Sequence, residues 1–205
     1  MSLWTSTIVC LLLFQSVQAQ VQPASDESRP VSAESPRRLE FTKRDWDLTS
    51  AYSDVFKILS SQNSCSSFYG GSRTATTVLN GFVTRVKSQP LAPEVSFQMA
   101  GQPRLIRDPA TGVLYRLFDE AMVNINGSFY LRRADPMVRF PSDVGSFSPG
   151  SRAARVLILL HELGHLIQDE NGDWLLPDDG FDGRQSKANI LRIQQVCRKE
   201  LDALN

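Results

Sequence analysis

The sequence predicts an α+β domain in which one buried helix packs with further helices and a small, mostly antiparallel sheet. Three observations carry this expectation. The stretch from Ala153 to Leu160 is almost wholly apolar and free of breakers, as befits a helix covered on all sides. Residues 45–61 and 73–87 place apolar side chains close to helical spacing. From Val95 to Phe140 the texture changes to short β-type runs divided by turn residues.

At 205 residues, 41% of them hydrophobic, the chain suffices for one domain with a proper core and not for two large ones. Lys plus Arg and Asp plus Glu balance at 22 each, so net charge gives no footing for nucleic acid or an anionic membrane surface. Met1–Ala19 reads as a secretory signal, with an apolar centre at Ile8–Phe14 and Val17-Gln18-Ala19 ahead of the cleavage point, although no Lys or Arg precedes the apolar run. That run is too short for a permanent anchor. Cleavage after Ala19 and a secreted or periplasmic protein without a membrane anchor are expected. Residues 20–44, dominated by Pro, Ser, Glu and Arg up to about Glu40, read as a disordered tether or pro-segment. Residues 45–205 form the single domain.

Taken in order, Asp45–Ser61 supplies an amphipathic helix through Trp46, Leu48, Tyr52, Val55, Phe56, Ile58 and Leu59. A loop from Asn63 to Ser72 holds Cys65 and turns on Gly70 and Gly71. A second helix runs from about Arg73 to Lys87, turning Ala75, Val78, Leu79, Phe82, Val83 and Val86 inward, and Pro90 and Pro93 end it. Strands are expected at Val95–Met99, Leu114–Phe118, Ala121–Ile125, Phe129–Leu131 and Met137–Phe140, with a hairpin turn at Asn126-Gly127. An exposed edge of this sheet would suit main-chain pairing with an extended peptide. Asn126-Gly127-Ser128 is also an N-glycosylation triplet, meaningful only in a eukaryotic secretory pathway. Ser148 and Pro149 open the apolar helix and Asn171-Gly172 closes it. An acidic loop, 173–183, follows. Ser186 then caps a last helix whose inner face is Ile190, Ile193, Cys197, Leu201 and Leu204.

The apolar helix carries His161-Glu162-Leu163-Gly164-His165, and these are the chain's only two histidines. Positions four apart share a helix face, so both imidazoles can address one metal ion. Glu162 lies about 100° round the helix, where its carboxylate reaches a water beside the ion without being a ligand, as a general base must. Three ionisable groups on an apolar helix are costly to bury unless something pairs them. A zinc ion would, and the domain is therefore expected to be zincin-like. A core helix whose His and Glu are satisfied internally is the alternative.

A catalytic zinc takes three protein ligands, and no histidine remains. The pattern of metzincins would place His or Asp at Asn171 and Gly at Gln168, which excludes that class. Asp178, Asp179, Asp182 and Glu200 are the candidates, with Gly180 and Gly183 letting the backbone approach an ion. Glu200 reads as a surface residue, and the aspartates also fit a solvated turn or a calcium loop. Once the signal is removed, two cysteines remain, and an even pair in an oxidising compartment favours a Cys65–Cys197 disulfide, with zinc ligation by either as the rival reading.

The string Leu159-Leu160-His161-Glu162-Leu163-Gly164-His165-Leu166, then Asp179-Gly180, Ser186-Lys187-Ala188-Asn189 and Cys197, resembles a family of small exported bacterial proteins classed as zinc metallopeptidases. Ser64–Gly71 is similar to that family's cysteine-aromatic-glycine segment. The resemblance covers scattered positions between Cys65 and Cys197, and only the His-Glu-Leu-Gly-His element is strongly specific. It implies Asp179 as third ligand, Ser186 and Asn189 as residues supporting the ligands or capping a helix, and Cys65 with Cys197 as the bridge. The Gly-Thr that precedes the ligand Asp in aspzincins is not matched.

The expected activity is hydrolysis of peptide bonds in a peptide or protein substrate, with one zinc ion held by His161, His165 and Asp179, and Glu162 as general base. Tyr115, Tyr130 and Arg152 are the candidates for stabilising the oxyanion, and spacing selects none of them. A non-catalytic exported binding or envelope module with a structural zinc is the alternative, and amide hydrolysis on a cell-wall peptide is a third reading.

Overall fold

Every residue from Ala153 to His161 is buried in helix α4 (Arg152–Gly164), and the rest of the domain supplies its cover. The computed structural model describes residues 36–40, 45–92, 95–130, 144–180 and 183–204. Helix α1 (Trp46–Ser60) lays Leu48, Tyr52, Val55, Ile58 and Leu59 against α4, capped by the Asp45 carboxylate on the Leu48 N–H. Two ion pairs flank that face, the Arg155 pair largely buried and the Arg152 pair partly exposed. Arg152 grips Asp54 with two bonds of 2.6 Å, and Arg155 joins Asp47 at 2.9 Å while its Nε donates to the Phe129 carbonyl. Helix α3 (Gly71–Val83) adds Val78, Leu79, Phe82 and Val83. On the far side lie α5 (Arg184–Val196) and α6 (Arg198–Asp202), which meet at Cys197.

Among the described residues, five short strands complete the α+β architecture: β1 (Val86–Gln89), β2 (Phe97–Ala100), β3 (Arg104–Arg107), β4 (Leu114–Leu117) and β5 (Glu120–Asn124). One sheet runs β1-β5-β2, with β1 parallel and β2 antiparallel to β5; β3 and β4 form an antiparallel pair. The chain leaving α4 then extends the second pair: Arg116 N–H donates to Leu166 O at 2.8 Å and Gln168 N–H to Leu114 O at 2.9 Å. It turns at Asp169–Asp173 and returns beside itself, where Leu175 N–H donates to Ile167 O.

Several expectations need correcting. The second helix stops at Val83, because Val86 and Lys87 belong to β1, in register with Ala121 and Met122. The Cys65 loop contains a short helix, α2 (Ser64–Phe68), closed by a reciprocal cap between Asn63 and Ser66. Asn126-Gly127 joins no strand pair among the described residues: β5 ends at Asn124, whose side chain binds the main chain of Leu91, Ala92, Val95 and Asn126, and Phe129 is buried in the core from a turn. Strands β1 and β3 went unforeseen; β3 in particular exposes Leu105 and lacks an apolar alternation. Helix α4 begins at its cap Ser151 rather than Ser148 and ends at Gly164 rather than Asn171, since residues 166–168 gain strand partners. Gly183, at φ +71°, caps α5, leaving Ser186 inside the first turn.

Among the described residues no helix is long and apolar enough to cross a membrane. Met1–Ala19, most of residues 20–44, the strand expected at Met137–Phe140 and Asp182 lie outside the described residues. Within 36–40, Leu39 N–H donates to the Tyr52 hydroxyl at 2.7 Å and the Arg37 carbonyl accepts from Asn80.

Cys65 and Cys197 form a disulfide, spanning 132 residues with Cα atoms 4.5 Å apart. It ties α2 to the end of α5, reinforced by Ser64 Oγ on the Val196 carbonyl. Loop entropy sets its contribution at about 5 kcal/mol. The Cys65→Ser/Cys197→Ser double variant should lose roughly that much in urea unfolding, and an unchanged midpoint would contradict it.

Candidate metal centre

The i, i+4 relation survives the early end of α4. His165 stands just past the last helical residue, yet its backbone keeps helical angles, φ −74° and ψ −12°. Its ring therefore faces His161, with the two Nε2 atoms 3.0 Å apart. Asp179 meets them from the returning segment: Oδ2 lies 3.0 Å from His161 Nε2 and Oδ1 3.4 Å from His165 Nε2. The three side chains present ligand atoms within 4.8 Å of one another, and among the described residues they are the one group of His, Cys, Asp or Glu so placed.

The donors fit a small divalent ion. Zinc–nitrogen and zinc–oxygen bonds of about 2.0–2.1 Å in a tetrahedron set the donors about 3.3 Å apart; here the two Nε2 atoms are 3.0 Å apart and each lies 3.0 or 3.4 Å from a different oxygen of the Asp179 carboxylate. The tautomer agrees for one of them. The Leu176 carbonyl can only accept, so His165 Nδ1 donates to it at 3.2 Å, which leaves Nε2 as the lone-pair atom of the neutral ring. His161 Nδ1 is buried without a partner among the described residues. Convergent acceptors repel unless a proton or a cation lies among them.

The surrounding chain holds Asp179 in place. Asn189, buried on α5, donates through Nδ2 to Asp179 Oδ1 at 2.9 Å and to the Pro177 carbonyl at 2.8 Å, and Gln185 Nε2 donates to Asn189 Oδ1. Leu176 N–H donates to the Gly164 carbonyl at 3.1 Å. Gly164 is needed for that approach, because a Cβ there would stand 2.5 Å from Leu176 Cδ1 and 2.6 Å from Cγ.

Protonation follows from this packing. Burial works to raise the Asp179 pKa, but hydrogen bonds and charge from His161 and His165 overcome it and hold the carboxyl well below the usual range. For His165 burial opposes the charged form, yet the bond to Asp179, the charge of Glu162 and the Leu176 carbonyl raise its pKa overall. Glu162 is raised chiefly by desolvation, against the lowering influence of both histidines. Its half-buried carboxyl makes no hydrogen bond or ion pair to any described residue.

Of the residues singled out in the sequence, His161, His165, Asp179 and Asn189 come together. Asp178 does not join them: its carboxylate is exposed, 3.5 Å from Arg116. Glu200, on α6, lies outside the cluster, and contrary to a surface placement its Oε2 is buried, with no partner among the described residues. Ser186 makes no hydrogen bond to the cluster. Arg152 is committed to Asp54 and Tyr130 to Asp45 and Ser88, while Tyr115 is buried on the core side of β4. Sequence reasoning missed Gln185 and the Leu176 carbonyl. Gln185 sits four residues before Asn189, a helical spacing that was available; a main-chain acceptor leaves no residue signal. No family model, no curated protein and no solved structure matches the chain.

Two outcomes are expected. Gly164→Ala should destabilise the protein by about 1–3 kcal/mol despite alanine's better helix propensity, as overpacking does; calorimetry decides. In metal-free protein, the raised His165 gives stability present below its unfolded value near 6.5 and lost as pH rises through the folded value. Glu162, also raised, acts in the same direction, whereas the depressed Asp179 stabilises above about pH 4 and ceases to do so as pH falls through its folded value. Chelated protein should therefore melt lower at pH 8 than at pH 5.5, and a flat or rising melting temperature would refute this.

Proposed function

We propose that the chain is an exported zinc-dependent metallopeptidase with His161, His165 and Asp179 holding one ion and Glu162 as general base. The observation that carries the proposal is the meeting of two imidazoles and a carboxylate within 3.0–3.4 Å, beside a second carboxylate that no described residue engages. A structural site has no use for such a carboxylate and usually closes with four protein ligands.

A zinc ion bound there supplies Lewis acidity, lowering the pKa of a water and polarising a carbonyl. Glu162 takes the proton from the attacking water and passes it to the leaving amine, and its raised pKa suits both halves of that task. Asn189 keeps the Asp179 carboxylate turned towards the histidines. His165 is held with Nε2 inward by the Leu176 carbonyl. None of Tyr115, Tyr130 and Arg152 is carried forward as the oxyanion donor. Strand β4, beside the chain that leaves the metal helix, is paired by β3 on one side and by residues 166–168 on the other. An extended peptide would therefore pair along another strand edge. Export accords with the disulfide and with the reading of Met1–Ala19 as a signal.

Zinc stoichiometry and cleavage of a mixed peptide library test this on residues 20–205. Wild type should bind one zinc and cleave. Glu162→Ala should keep the metal and lose at least about 100-fold in rate, and Asp179→Ala should lose both. Absence of zinc from wild type defeats the proposal. Tight zinc with no cleavage moves the function to a non-catalytic exported binding or envelope module.

A further inference from the structure

Building on the metal reading above, we infer that Arg116 is a positioning residue that holds His165 and the Asp179 segment in register with each other. It stands on β4, on the face opposite the buried Tyr115 and Leu117. Its main-chain N–H donates to the Leu166 carbonyl at 2.8 Å, and its side-chain Nε donates to the His165 carbonyl at 2.9 Å. One residue thus takes two successive carbonyls just beyond the end of α4. That is where a helix leaves acceptors without internal partners and where a cation is favoured.

The same guanidinium reaches the segment that carries the third donor. Its carbon lies 4.0 Å from the centroid of the Trp174 ring and 5.6 Å from that of Phe118. Trp174 lies on the segment returning to Asp179 and is bridged to Gln168. Nη2 also stands 3.5 Å from Asp178, the residue before Asp179. That carboxylate is 88% exposed, so the ion pair adds little. The His165 bond and the Trp174 stack carry the effect.

Arg116 touches none of the donor atoms and works through the chain on either side of them. A planar fork that donates at Nε while stacking is something arginine provides and lysine does not. Asn189 holds Asp179 from α5, and Arg116 braces the returning segment at Trp174 and Asp178.

The test is cobalt(II) titration of purified wild type, Arg116→Met, Arg116→Lys and Arg152→Met, reading affinity and the ligand-field absorption bands, with melts of the chelated proteins alongside. Arg152→Met breaks the Asp54 pair at the other end of α4 and controls for lost stability. Arg116→Met should weaken cobalt binding by about 10-fold or more, the scale seen when support for ligands is removed, and should shift the bands. Arg116→Lys should recover at most part of the affinity, and Arg152→Met should keep wild-type affinity and bands even where its melting temperature falls. Unaltered affinity and bands in Arg116→Met overturn the inference, as does an equal loss in Arg152→Met. Should Arg116→Met not fold, Arg116→Lys is judged by the same criteria. A wild type that takes up no cobalt overturns the metal reading itself, and this inference with it.

Discussion

Three groups, two imidazoles and a carboxylate, face one another across 3.0–3.4 Å, an arrangement that repels unless a proton or a cation lies among them, and the surrounding contacts hold it in place. Two of them come from a helix that has no freedom to turn, because its buried residues fill the space between α1, α3, α5 and α6. The third comes from a segment anchored in the core by Leu175 and Leu176, and beyond Pro177 its carboxylate is fixed by polar contacts. The division has a physical basis. Apolar packing sets the helix axis and its rotation, whereas the direction of a carboxylate is set by the donors around it.

Those donors trace back to the disulfide. Asn189 can orient Asp179 only while α5 stays at its post, and α5 is secured at its far end by Cys197. Arg192 adds a second tie, donating to the Leu175 carbonyl and lying over the Phe68 ring of α2. The Tyr69 hydroxyl, one residue beyond α2, donates to the Leu160 carbonyl immediately before His161. The short helix α2 therefore touches both the helix that bears the histidines and the helix that supports the aspartate.

Legibility in the sequence follows the same division. The helices were readable because burial imprints a period on apolar residues, and His161, Glu162 and His165 were readable because four-residue spacing is a geometric statement. Asp179 was one of several acids to the residue-by-residue reading, and only a resemblance singled it out. Asp178 and Asp179 are adjacent and chemically identical, and what separates them is the direction of the backbone after Pro177. The end of α4 was misjudged for a related reason. Leu166 and Ile167 continue an apolar run that reads as helix, but β4 offers their main chain hydrogen bonds, a tertiary effect that no local pattern records. Strands β1 and β3 were missed because four residues with mostly exposed side chains carry no period to detect.

The donors are close along the chain as well as in space. His161 and His165 are four residues apart and His161 and Asp179 eighteen, whereas the disulfide joins residues 132 apart. Closing a loop of that length costs about 3 kcal/mol of chain entropy against about 5 for the disulfide's, so the donor group depends less than the disulfide does on long-range order of the chain. An ion held by the three groups would act on the folded state, stabilising it by the difference between its affinities for the folded and unfolded chain. The disulfide acts in the opposite sense: it constrains the unfolded ensemble as a whole, and its contribution falls almost entirely on the global folding equilibrium.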